Sequence, residues 1–145
     1  MKRNARNIVP LICALVLMKA SSAEAQRLDD IVEIIAFAWS HGDVRTVVAM
    51  GANEGIQFET RDGRMGPLGD RQAGAVLRRL FGDRETVATR PGMIQMVGGS
   101  PRRAFGEITW ITRAPDTTQS EKLTVLLELV LEGDRWRITQ IRMLP

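Results

Sequence analysis

Tyrosine is absent from this 145-residue sequence, histidine occurs once, at His41, and cysteine once, at Cys13. Without a tyrosine there is no phenol to donate to a developing oxyanion, and any imidazole base or imidazole metal site rests on His41 alone. Cys13 lies in an amino-terminal stretch that reads as a leader, so the remainder has neither disulfide nor thiol, which excludes cysteine nucleophiles and thiolate metal sites. Lysine is equally scarce: beyond that leader only Lys122 occurs, the other bases being arginines. No G-x-G-x-x-G or Walker spacing is present, and no His, Asp or Glu cluster has metal-ligand spacing, so neither a cofactor nor a metal is expected.

What is there begins with an address. Lys2, Arg3 and Arg6 precede an apolar run, Ile8 to Met18, too short for a permanent transmembrane helix of about 20 residues, and Ala23-Glu24-Ala25 supplies a small-x-small cleavage pattern. Residues 1–25 are predicted to be a signal peptide cut near Ala25, before Gln26, leaving an exported chain, periplasmic or secreted, with no permanent membrane anchor. Cys13 sits inside the apolar run instead of just after the small residues, which excludes a lipid anchor. The leader would remove Lys2, Arg3, Arg6 and Lys19 against Glu24, so the 20 basic and 17 acidic residues fall to 16 of each and the net charge of +3 falls to zero. With no basic block and no aromatic residues in a basic setting, nucleic acid is not an expected partner. The remaining 26–145 are expected to form a single domain, long enough to bury a core without disulfides.

Leu28, Ile31, Val32, Ile35 and Trp39 recur at helical spacing, and Asp30 and Glu33 are placed like a capping box, which predicts a helix over 30–40. His41-Gly42 ends it, and Asp43 caps a short second helix carrying Val44, Val47 and Val48. Residues 54–60 alternate as a half-buried strand, with Ile56 and Phe58 on one side, and Asp62-Gly63 and Gly66-Pro67 are expected to be turns. Asp70 is expected to cap a third helix with the apolar stripe Ala73, Val76, Leu77, Leu80 and Phe81, stopped by Gly82.

From Glu85 the period is that of strands: 85–89, 93–97, 103–112, 122–131 and 135–143, separated by Gly- and Pro-containing turns. In 122–131 the residues Leu123, Val125, Leu127, Leu129 and Leu131 share an apolar face. The last strand loses phase, with Trp136 and Ile138 on one side and Ile141 and Met143 on the other, which predicts a bulge near Thr139-Gln140 that bends the sheet. The expected class is α+β, three N-terminal helices packed in the concave face of a strongly bent, mostly antiparallel sheet.

This order, with His41-Gly42-Asp43 at the first corner, the helix Arg71 to Phe81 and the closing Gly133-Asp134-Arg135-Trp136-Arg137-Ile138-Thr139-Gln140-Ile141, resembles the nuclear-transport-factor-2-like (NTF2-like, SnoaL-like) superfamily of cone-shaped α+β barrels, and more narrowly its exported bacterial domains of unknown function. The resemblance implies a cone whose interior holds a small molecule, or in its enzymes an acid or base, and a homodimer formed through the sheet. Isomerase-like members pair a carboxylate base with a tyrosine donor, and the missing tyrosine counts against that chemistry here.

If the chain were an enzyme, His41, Glu107 and Glu128 would be its catalytic candidates. His41 fits a helix-end role, while Glu107 and Glu128 alternate away from the apolar face and fit pairing with arginine. Trp39, Phe58, Met96, Trp110 and Trp136 are candidates to line a pocket for a small apolar ligand, or plain core. Ile111, Leu126 and Val130, set among Thr109, Thr124 and Glu128, make the outward sheet face apolar enough for a homodimer. The expected function is an exported, non-catalytic small-ligand-binding or protein-interaction domain. The alternative is a cofactor-independent isomerase, dehydratase or hydrolase acting on a small apolar substrate in the cone cavity.

Overall fold

A computed structural model describes residues 27–145; the leader, Cys13 and the cleavage point before Gln26 lie outside the described residues. Helix α1 occupies 27–40, three residues longer at its start than the capping pattern suggested. Its apolar stripe is the predicted one: Leu28, Val32, Ile35 and Trp39 are all buried. The chain leaves it through Gly42 at φ 62, the left-handed conformation that a glycine adopts without Cβ strain. Asp43 then caps α2 (Val44–Ala49), its carboxylate accepting from the Thr46 amide and hydroxyl at 3.2 and 2.6 Å. Those two bonds hold the Asp43 carboxyl below its usual range, the hydroxyl bond foremost.

Strand β1 (Ile56–Thr60) is followed by a strand that turn chemistry concealed. Gly63–Leu68 forms β2, antiparallel to β1, with the extra residue of a bulge absorbed around Gly66-Pro67. As an outermost strand β2 tolerates a proline that a central one would not. Helix α3 (Asp70–Gly82) has Gly69, not Asp70, as its N-cap, and Asp70 instead sits in the first turn, where its charge complements the helix dipole.

Four long strands complete the sheet: β3 (Glu85–Val97), β4 (Arg103–Arg113), β5 (Ser120–Glu132) and β6 (Arg135–Leu144). The expected break at Arg90-Pro91-Gly92 does not occur. β3 runs through it as one strand, because it lies at the sheet edge and takes up the irregularity as an extra residue between Pro91 and Ile94; a second extra residue falls at Val87. The sheet order is β2-β1-β6-β5-β4-β3, antiparallel throughout except where β1 lies parallel to β6.

The phase break in the last strand is present. Glu128 pairs with Gln140 while Leu129 pairs with Ile138, leaving Thr139 as the extra residue, its hydroxyl donating to the Glu128 carbonyl at 3.1 Å. The bulge also switches the strand's other neighbour. Before it, Ile138 exchanges bonds of 2.8 Å with Met50 and Ala52; after it, Gln140, Ile141 and Arg142 pair with β1.

The helices cover one face of this curved sheet. Ala104, Ile108 and Trp110 of β4, Leu123, Val125, Leu127 and Leu129 of β5, and Trp136, Ile138 and Ile141 of β6 are buried in one cluster with the α1 stripe and with Ala73 and Leu77 of α3. Gly106 sets how near α1 can come, since a Cβ there would lie 2.8 Å from Val32 Cγ2. The architecture is α+β, a mostly antiparallel bent sheet with helices on its concave side.

Candidate functional site

The concave side is not filled evenly. At one place it is closed by three rings: Trp39 of α1, Phe81 of α3 and Trp110 of β4 stand mutually edge-to-face, with centroids 5.0, 5.6 and 6.1 Å apart. Trp110 Nε1 donates to the Thr86 hydroxyl at 2.9 Å, whereas Trp39 Nε1, fully buried, has no hydrogen-bond partner among the described residues.

Beside this plug the interior opens. Leu123, the register partner of Trp110 on β5, forms part of the floor of a cleft of about 830 Å³, together with Val76 and Leu80 of α3 and Met143 of β6. A volume of that order is what a small-molecule site offers.

The rim is ionic and is assembled from the β1–β2 turn, the α3–β3 connection and the start of β5. Arg61, in the β1–β2 turn, donates through Nη2 to Glu121 Oε1 at 2.7 Å. Arg84, between α3 and β3, donates through Nη1 to Glu121 Oε2 at 2.7 Å. Arg84 is the more sheltered of the two, its side chain 25% exposed against 63% for Arg61. The Arg84 bond, and behind it Arg61, holds the Glu121 carboxyl below the usual glutamate range, outweighing the opposing effect of partial burial. Elsewhere on the rim, Arg79 faces Asp83 one helical turn on at 3.8 Å, and Asp62 follows Arg61.

The residues singled out by sequence lie outside this cleft. His41 is exposed at the end of α1, Nδ1 2.9 Å from the Phe37 carbonyl and its ring 4.3 Å from the Phe37 ring. Glu128 points to the convex face and pairs with Arg103 at 2.6 Å; Glu107 is half-buried on that same face, opposite Leu126. Glu59 belongs to the convex face too. It accepts from Arg64 at 3.0 Å and lies 3.2 Å from Arg142 Nε, a charge contact misaligned for a hydrogen bond, and Arg64 is the main reason its carboxyl is lowered.

Trp39, Trp110 and Phe58 are buried in the packed core. Met96 is exposed on the edge strand, and Trp136 borders a smaller depression of about 340 Å³ beside Arg27, Ile31 and Met50. Among the described residues, no three or more His, Asp or Glu side chains stand together in a way that could hold a metal, and no helix is long and apolar enough to cross a membrane.

Sequence reasoning missed Arg61, Arg84 and Glu121 because nothing local joins them. The two bonds span 60 and 37 residues, and each member sits at the end of an element where a charged residue is unremarkable. The only available signal was that Asp62-Gly63 and Gly82-Asp83 are turns, hence places where an arginine is free to lean over an opening.

No protein-family model matches the sequence, and no curated protein matches it. Solved structures do resemble it. A DUF4783 family protein from Bacteroides uniformis is 13% identical and superposes with a TM-score of 0.62, covering 77% of this chain and 93% of its own. A domain of unknown function with a cystatin-like fold from Nostoc punctiforme is 15% identical at a TM-score of 0.63, covering 83% and 76%. A designed NTF2 protein is 11% identical at 0.61, covering 83% and 98%. At such identities the likeness concerns the fold, and the fold of this chain is NTF2-like: a cone-shaped α+β sheet with its helices on the concave side.

Proposed function

We propose that the protein is an exported, non-catalytic domain that binds a small, largely apolar molecule in the cleft between α3 and the ends of β5 and β6. The observation that carries this reading is the cleft itself, about 830 Å³ over a floor of Val76, Leu80, Leu123 and Met143, while the acid-base candidates His41, Glu107 and Glu128 lie elsewhere. A neutral fluorescent probe such as N-phenylnaphthylamine tests it. The probe should brighten on titration with the protein, and Leu80→Glu, which puts a charge on a half-buried floor position, should abolish the gain. No brightening at high protein concentration would remove the reading.

Export rests on the leader. Its test is amino-terminal sequencing of the chain recovered from a periplasmic fraction, where Gln26 is the expected first residue.

A homodimer is favoured by the convex face. There Phe105, Ile111 and Leu126 are only half-covered within one chain and Val130 is buried, and interspersed ion pairs such as Arg103–Glu128 would give a partner register. A strictly monomeric mass by light scattering at high concentration would exclude it.

A further inference from the structure

Helix α1 carries two seams of the same spacing. Leu28, Val32, Ile35 and Trp39 step by four, three and four residues and are buried against the sheet. Asp30, Ile34, Phe37 and His41 repeat those steps two residues on, about 200° round the helix, and all four are exposed. The second seam therefore looks away from the sheet, yet its middle is apolar. Ile34 is 48% exposed and Phe37 69%, the most of any large hydrophobic side chain among the described residues. Alternating steps of four and three are the spacing with which one helix packs along another.

We propose that this outer seam docks a second copy of the chain, α1 lying antiparallel against α1, because the seam is its own complement. Ile34 with Phe37, and Asp30 with His41, share one midpoint along the helix. A twofold axis through that point sets Phe37 on the partner's Ile34 and Asp30 against the partner's His41. Charge follows the same symmetry. The start of α1 is acidic, with Asp29, Asp30 and Glu33 against Arg27, whose guanidinium donates to the Asp134 carbonyl. Past its end Arg45 offsets Asp43, whose carboxylate is taken by Thr46, which leaves His41 to answer the partner's acids. The His41 Nδ1 is turned inward, 2.8 Å from Ser40 Oγ and 2.9 Å from the Phe37 carbonyl, and Nε2 has no hydrogen-bond partner among the described residues. An imidazolium there donates outward to a carboxylate and suits the negative end of its own helix. Antiparallel docking also sets opposed helix dipoles side by side. One helix seam buries less than a permanent dimer needs, so the pair forms reversibly. It uses the concave side of the sheet and leaves the convex face free for its own contact.

The protein from residue 26 to 145 has no cysteine, so a single introduced one reports contact at its own position. Mixed under mild oxidation, Ile34→Cys and Phe37→Cys chains should link to each other at least about 10-fold faster than either links to a Gln72→Cys chain, since docking raises the local thiol concentration; Gln72 is an exposed position on α3. Asp30→Lys added to both chains should slow the linkage, and His41→Glu on top of it should restore the rate, a rescue that damage to the fold at either site would not produce. In sedimentation equilibrium, Phe37→Glu should weaken self-association by at least about 10-fold, as for a central aromatic anchor. Linkage no faster than that to the Gln72→Cys control would overturn the proposal even where the mass is dimeric, because the convex face would then account for the dimer. Linkage indifferent to Asp30→Lys would overturn the antiparallel arrangement.

Discussion

The plugged and the open parts of the concave side are built from adjacent residues of the same elements. Phe81 and Leu80 are neighbours on α3, and Trp110 and Leu123 are partners across β4 and β5, yet one of each pair closes the interior and the other floors a cleft. What differs is how many large side chains arrive. α1 sends Trp39 against Phe81 and Trp110, whereas no residue of α1 reaches the cleft wall, and arginines from two turns lean over it instead. The closed part is thus where α1, α3 and β4 each supply a ring, and the open part where α3, β5 and β6 supply smaller side chains and no ring.

The sharpest way to break this comparison is to truncate one residue on each side. Trp110→Ala should destabilise the fold by about 3–5 kcal/mol, as for large core truncations, whereas Leu80→Ala at the half-buried floor should cost on the order of 1 kcal/mol; chemical denaturation of both variants checks the contrast. Equal losses would mean the cleft floor is as much core as the plug. Next, Gly106→Ala should cost about 1–3 kcal/mol by forcing Val32 away from the sheet. Adding Val32→Ala should return part of that loss if the overlap is the cause, which the double-variant cycle measures.

Within the plug, Trp39→Phe should be milder than Trp110→Phe, because the first removes an N–H without a hydrogen-bond partner and the second strips the Thr86 hydroxyl of its donor. The rim should show itself in pH dependence. Since the folded carboxyl of Glu121 lies below its ordinary value of 4.5, its contribution is fully present above that value and is lost as pH falls through the lower folded value. The stability difference between wild type and Glu121→Gln should therefore be largest at neutral pH, shrink in strong acid, and shrink with added salt. Smallest of all, His41→Ala should leave probe binding unchanged, since the ring is exposed against Phe37, away from the cleft.

The elements legible beforehand were those whose periodicity is local. The stripe of α1, the Asp43 cap, the apolar face of β5 and the phase slip at Thr139 follow from spacing alone, because period 3.6 and period 2 are properties of a short stretch of backbone. β2 and the continuity of β3 were missed for one physical reason. Gly-Pro and Pro-Gly pairs read as turns, but at a sheet edge an irregular residue costs few ladder bonds, so the strand continues. The aromatic residues pointed to a pocket because large rings suit either use; whether they line space or fill it depends on whether their partners meet.

Sequence by itself determined the helical face that must be buried, the absence of a phenol, and the bend in the last strand. Only the tertiary structure decided that Trp39, Phe81 and Trp110 close on one another, and that Arg61, Arg84 and Glu121 come together above an apolar floor. Those groupings arise from the sheet's curvature and the parallel docking of β1 on β6, which bring distant element ends to one rim, and no local spacing encodes a meeting across 60 residues.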